Sequence, residues 1–153
     1  MISGADRLEF LRHIPVLAGL DENGLQIFAD HAQEIACPAG MLAVHEGEPG
    51  NQMFIIHTGT VEIIKDFAGP NERLLATLHP RDHFGEMCII ECVARSASAR
   101  VTEDTILLGL KGSDLFHLFK YRADQYAILI LNLARDLSRR LRALDEKWRA
   151  VSH

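Results

Sequence analysis

Between Ile35 and Leu110 short apolar runs alternate with dense turn signals, and this alternation constrains the fold more than any other feature of the chain. The runs are Ile35 to Cys37, Leu42 to Val44, Met53-Phe54-Ile55-Ile56, Val61 with Ile63 and Ile64, Arg73 to Leu78, and Thr105 to Leu110. Between them stand Pro38-Ala39-Gly40, Glu46-Gly47-Glu48-Pro49-Gly50-Asn51, Phe67-Ala68-Gly69-Pro70-Asn71-Glu72 and His79-Pro80-Arg81-Asp82. Runs this short are strands rather than helices. His57-Thr58-Gly59-Thr60 reads as a tight hairpin turn with Val61 to Ile64 as its return strand. Many short strands with no helical period between most of them exclude alternating βαβ units. They predict an antiparallel sandwich or a jelly-roll barrel.

Helical patterns lie on either side. Leu8, Phe10 and Leu11 mark a short amphipathic helix, ended at Ile14-Pro15 because proline drives the residue before it out of helical geometry. Asp21 is an N-cap candidate for a second helix with Leu25, Phe28, Ala29 and Ala32 as its apolar face. Ser113 is the N-cap candidate for a helix over Asp114 to Lys120. From Asp124 the chain holds no glycine or proline, and Tyr126, Ile130, Leu133, Leu137, Leu141, Leu144 and Trp148 recur by fours and threes. Its apolar face is wide at first and narrows to a seam. A wide face packs on a domain, whereas a seam pairs with another helix. The first half is therefore expected on the barrel and the second half in a homodimer. The class is α+β, in one domain over 1–153. N-terminal helices are expected at about 5–31, the barrel at about 33–111 and the C-terminal helices at about 113–150.

Composition removes several classes of function. Asp and Glu number 21 against 16 Lys and Arg, a net charge of −5, which disfavours a nucleic-acid partner. The start of the chain has no apolar signal core, and no apolar run is long enough to span a bilayer. Cys37, Cys88 and Cys92 make no disulfide framework. A reduced, cytoplasmic protein with no membrane partner is expected. Neither a Ser-His-Asp, a Walker nor a redox arrangement is present, so no catalytic residues are assigned and no enzyme is expected. His79 and His83, with Glu86, are conceivable ligands in a metal-dependent barrel enzyme, but no second ligand pair appears at the usual spacing, and no metal is expected. Cys88 and Cys92, one helical turn apart, read as buried apolar cysteines.

The chemistry concentrates between Phe84 and Val101. Phe84-Gly85-Glu86 is followed by Met87 to Cys92, one or two turns of helix whose first N–H groups face a position suited to an anion. Arg95-Ser96-Ala97 then places a guanidinium among small apolar residues, where only an anion compensates its burial. Its planar fork matches a phosphate, Ser96 adds a hydroxyl, and Ala97 leaves its amide open. Gly85 permits close backbone approach. An acid beside a phosphate site makes sense if Glu86 accepts from a hydroxyl on the same ligand. Taken singly, Glu86 is equally a helix N-terminal acid, and Arg95 equally a partner of Glu86 or Glu91. Taken together they favour a site for a ligand with both phosphate and hydroxyl.

From about Leu8 to Trp148 the chain resembles the cyclic nucleotide-binding domain family. Leu11 to Leu20, Pro38-Ala39-Gly40, Glu46 to Gly50 and Met53 to Gly59 match its helical start and its turns, and Phe84-Gly85-Glu86 with Arg95-Ser96-Ala97 matches its phosphate-binding cassette at the family's spacing. Ala94 stands where the family usually has proline, and Arg81-Asp82 where it has Gly-Asp. The resemblance implies a jelly-roll (double-stranded β-helix) barrel flanked by N-terminal helices and a long C-terminal helix. It implies that Glu86 accepts from the ribose 2′-hydroxyl, and that Gly85, Met87 and Cys88 line the sugar-phosphate with backbone groups. Arg95, Ser96 and the Ala97 amide then hold the cyclic phosphate. Arg139, Arg140, Leu144 and Trp148 are the candidates near the base. The expected ligand is cyclic AMP, with cyclic GMP the alternative, and no catalytic cofactor. The expected role is a stand-alone regulatory sensor without a DNA-binding module, acting through movement of the last helix on an unidentified effector or on its own dimer. The alternative is a barrel that has lost its ligand and serves as a protein-interaction module.

Overall fold

The computed structural model describes residues 1–152; His153, which the single-domain reading includes, lies outside the described residues. Helix α1 spans Gly4–Leu11 and is capped by Ser3, whose hydroxyl accepts from the Asp6 N–H. A 3₁₀ turn at Pro15–Leu17 leads to α2, Glu22–His31. Asp21 caps α2 as expected, accepting from the Gly24 N–H at 2.8 Å.

Among the described residues eight strands follow: β1 Gln33–Cys37, β2 Leu42–Val44, β3 Gln52–Thr58, β4 Val61–Lys65, β5 Arg73–Leu78, β6 His83–Phe84, β7 Ser98–Val101 and β8 Thr105–Lys111. Their order is β1-β8-β3-β6 in one sheet and β2-β7-β4-β5 in the other. Every pairing is antiparallel, and successive strands from β1 to β4 alternate between the sheets, which makes a jelly roll. This overturns the expected hairpin at 57–60. β3 pairs with β6 and β8, β4 with β5 and β7, so the chain turns a corner between sheets. Gly59 makes that corner at φ +97°, and a Cβ there would sit 2.8 Å from the Thr105 backbone.

Two hydrophobic cores result. Phe54, Ile56 and Leu107 of the first sheet meet Val61, Ala99 and Val101 of the second inside the barrel. Met53, Ile55, Leu108 and Leu110 face outward and pack against the helices. The first sheet is thus covered on both faces, which is why Met53-Phe54-Ile55-Ile56 is an unbroken apolar run instead of an alternating one.

Helix α3 is short, Met87–Glu91. Helix α4, Gly112–Tyr121, follows β8 directly. Ser113 is therefore inside its first turn and not the cap; the Lys111 N–H donates instead to Asp114 Oδ2 at 2.9 Å. Helix α5 runs from Ala123 to Val151. Its buried line is Gln125, Leu129 and Leu133, with Tyr126 and Ile130 half-buried beside it. Gln125 Oε1 accepts from the Asp21 N–H at 2.7 Å, and the Asn132 amide donates to Val16 and Ala18 carbonyls at 2.9 and 2.8 Å. The first half of α5 is thereby fixed to the N-terminal helical block and, through it, to the barrel.

Candidate functional site

The site begins where β6 pairs with β3. Phe84 lies opposite Phe54 and their rings stack at 5.1 Å, which fixes the chain just before the cassette. Gly85 then takes φ +81°, and a Cβ there would come within 2.7 Å of the Arg95 guanidinium. Cys92, at φ +55°, ends α3 in the left-handed conformation and turns the chain back toward Arg95.

Arg95 is anchored through its backbone. Its N–H donates to the Glu48 carbonyl at 2.9 Å and its carbonyl accepts from the Gly47 N–H at 2.9 Å, so the turn before β3 holds it on both sides. The guanidinium lies 5.5 Å over the Phe54 ring. Nη1 donates to the Gly85 carbonyl at 3.2 Å and lies 3.0 Å from Cys88 Sγ. Gly50 lies so close that any Cβ there would overlap the guanidinium. None of the ion pairs among the described residues involves Arg95, so pairing with Glu86 or Glu91 does not occur.

Glu86 is 2% exposed. Its side chain makes no helix-capping bond to α3. Oε1 instead accepts from Arg140 Nη1 of α5 at 3.0 Å. Arg140 Nη2 is 2.9 Å from Asp136 Oδ2, one turn earlier on the helix. His83 Nε2 lies 3.4 Å from the same Asp136 oxygen. Burial is the largest influence on His83 and lowers its pKa below the usual histidine value; the neighbouring Glu86 carboxylate opposes that shift.

Gly85, Glu86, Cys88, Arg95 and Arg140 thus come together. Met87 is exposed on α3, Ser96 is exposed with its carbonyl accepting from Lys65 Nζ at 2.8 Å, and Ala97 is half-buried at the start of β7. Arg139 lines a cleft of about 490 Å³ with Arg81, His83, Arg135, Asp136 and Arg140. Leu144 and Trp148 are 53% and 71% exposed further along α5. Sequence reasoning missed Gly50, Phe54 and Asp136 as parts of this arrangement. In the sequence Gly50 reads only as a turn residue. The Asp136–Arg140 spacing on one helix was a readable signal for an ion pair, but nothing in it pointed to Glu86.

Chemically, a guanidinium that meets no carboxylate among the described residues rests on Gly85, the chain neighbour of a buried carboxylate that Arg140 meets at one oxygen. Such a pair can hold an anion and accept from a hydroxyl on the same molecule.

The family model for the cyclic nucleotide-binding domain matches residues 34–122. The Cyclic AMP receptor protein of Thermus thermophilus is 33% identical over 131 residues, 86% of this chain and 59% of that protein. The cAMP-dependent protein kinase regulatory subunit of Schizosaccharomyces pombe is 32% identical over 59% of this chain and 21% of its own length. The crystal structure of the Thermus thermophilus Catabolite Activator Protein superposes with a TM-score of 0.78 at 32% identity, covering 90% of this chain and 63% of that one. The chain therefore spans less than two thirds of these relatives. Since the matched family model takes in more than half of its length, the chain belongs to the cyclic nucleotide-binding domain family.

Proposed function

We propose that this regulatory domain binds cyclic AMP in preference to cyclic GMP, acts as one sensor unit without catalysing a reaction, and signals through α5. The carrying observation is Arg95: a half-buried guanidinium without a carboxylate partner among the described residues, cradled by Gly50 and Gly85 next to the buried Glu86. Arg95, Ser96 and the Ala97 amide hold the cyclic phosphate. Glu86 accepts from the ribose 2′-hydroxyl through Oε2, since Arg140 already engages Oε1. Gly85, Met87 and Cys88 contribute backbone groups. Both curated relatives named above are cyclic AMP proteins by name, which supports that nucleotide.

Arg140 gives the signal its route. It ties the ribose-binding acid to α5, so a ligand that changes the Glu86 contacts changes what holds that helix. The helix then shifts by the ligand's differential affinity for its two positions. Leu141, Leu144, Trp148 and Val151 are exposed at spacings of three and four and form the proposed homodimer seam. The compartment is proposed to be cytoplasmic; among the described residues, no helix is long and apolar enough to cross a membrane. A net charge of −5 favours a protein effector over nucleic acid.

Calorimetric titration with cyclic AMP and cyclic GMP tests the assignment. The parent is expected to bind cyclic AMP more tightly. A charge-assisted contact contributes about 1.5–3 kcal/mol, so Arg95→Ala is expected to bind at least about tenfold more weakly. Equal affinity in the parent and the variant would remove Arg95 from the site.

A further inference from the structure

His83 on β6, Glu86 before α3 and Asp136 on α5 bring an imidazole and two carboxylates together outside the barrel. One ligand atom from each lies within 4.8 Å of the others. His83 is only 7% exposed, and its Nε2 has no hydrogen-bond partner among the described residues. Asp136 Oδ2 is likewise buried without one; Arg140 Nη2 is near it but off the hydrogen-bond direction. A buried imidazole nitrogen and a buried carboxylate oxygen 3.4 Å apart, neither with a hydrogen-bond partner among the described residues, make a costly arrangement unless something bridges them. Arg140 is the guanidinium in contact with both carboxylates, so the two negative charges exceed the cation that meets them.

We propose that His83, Glu86 and Asp136 form a binding site for a divalent first-row transition cation of the zinc type, which fastens the cassette to α5 and competes with the nucleotide by drawing the Glu86 carboxylate toward His83 and Asp136, away from the pose that serves the ribose. The competition, unlike the site, rests on the function proposed above. An imidazole with two carboxylates is a donor set for zinc, manganese or iron rather than for magnesium or calcium. Ligands at about 2.0–2.1 Å around a tetrahedral zinc stand about 3.3 Å apart, and His83 Nε2 and Asp136 Oδ2 are already 3.4 Å apart. The remaining contraction falls on Glu86 as Arg140 withdraws. Arg140 has the freedom to do so, its side chain being 46% exposed. The route in is the cleft of about 490 Å³, which His83, Asp136 and Arg140 line. A bound cation would fill the place of the guanidinium, satisfy both unpartnered atoms, and leave the fourth position to water. It would also lock α5 against the cassette with Asp136 held beside His83 and Glu86.

Zinc titrations by calorimetry without nucleotide test the site on the parent, His83→Gln, Asp136→Asn and Arg140→Gln. One site is expected in the parent, weakened at least about tenfold in the first two variants and strengthened in Arg140→Gln. Circular dichroism checks that each variant is folded, and Arg140→Gln, altered at a half-exposed side chain, decides the matter if the buried variants do not fold. Cobalt should bind with a visible spectrum lacking thiolate charge transfer. No zinc binding by the parent, equal affinity in all four proteins, or a thiolate band placing the metal on the cysteines overturns the site. Cyclic AMP is then titrated with and without saturating zinc. About tenfold weaker binding with zinc is expected, and unchanged affinity overturns the competition. Failure of cyclic AMP to bind in either condition overturns the nucleotide reading and the competition with it, while the zinc titrations still decide the site.

Discussion

Arg95 owes its position to what its neighbours lack. Gly50 and Gly85 carry no side chain where the guanidinium lies, and Phe54 supplies a flat surface under it. Gly50 does not need a left-handed backbone, so replacing it tests space alone. In Gly50→Ala the new Cβ displaces the guanidinium, and cyclic nucleotide affinity should fall about tenfold, the loss of a contact of about 1.5 kcal/mol, with little change in melting temperature. Retained affinity, measured by the same calorimetry, would show that Arg95 reaches the ligand from elsewhere. Arg95 itself was legible, because a guanidinium in a run of small residues has few structural uses. The role of Gly50 was not, because a glycine in a turn has an adequate local explanation and its neighbour in space stands forty-five residues later in the chain.

Among the elements, the β3–β4 corner differs most from its sequence signature. A Thr-Gly-Thr turn between two apolar runs looks the same whether the second strand pairs with the first or crosses to another sheet. Gly59 is required for the crossing, since its positive φ and the nearby Thr105 backbone both exclude a side chain. Gly59→Ala should destabilise the fold by about 1–3 kcal/mol, lowering the melting temperature by about 2–4 °C per kcal/mol in a domain of this size. An unchanged melting curve would mean that the corner relaxes without strain. At the other end of the helical block, Arg122 bridges Asp21 of α2 and Asp124 of α5. The Arg122 hydrogen bonds are the main reason that both carboxyls titrate below their ordinary range, Asp124 down to about 2. A carboxyl with a depressed folded pKa adds stability above its unfolded value and loses it as pH falls through the folded one. The clamp should therefore weaken between about pH 4 and pH 2. Arg122→Gln should show a shallower dependence of stability on pH in that window, measured by urea unfolding; identical slopes would discard the clamp.

For the molecule as a whole, the sheet covered on both faces is the hinge of the design. Its inner face closes the barrel and its outer face carries the helical block, so cassette and α5 share one support. Leu129 is fully buried in the outer core. Leu129→Ala should cost about 2–5 kcal/mol, read as a shifted denaturant midpoint, and a loss well under 1 kcal/mol would mean that α5 is held by its polar ties alone. Beyond Leu133 the helix leaves that core, and Leu141, Leu144 and Trp148 face outward. Sedimentation should show a dimer for the parent and a monomer for Leu144→Glu, because a charge in a narrow apolar seam has no partner. A monomeric parent at micromolar concentration would remove the seam from the mechanism.

The sequence by itself determined six of the eight strands in their order, the antiparallel barrel with helices on both sides, and singled out the stretch that holds Glu86 and Arg95. These rest on local physics: turn chemistry, the period of apolar residues, and the rarity of a guanidinium among small side chains. Only the tertiary structure decided which sheet each strand joins, which residues surround Arg95, and that Glu86 meets Arg140 while His83 meets Asp136. β6, two residues long between Pro80 and Gly85, carries no periodicity from which a strand can be read. The reason is common to all of these. Each contact joins residues distant in the chain and depends on the relative placement of two cores, and no local pattern encodes that placement.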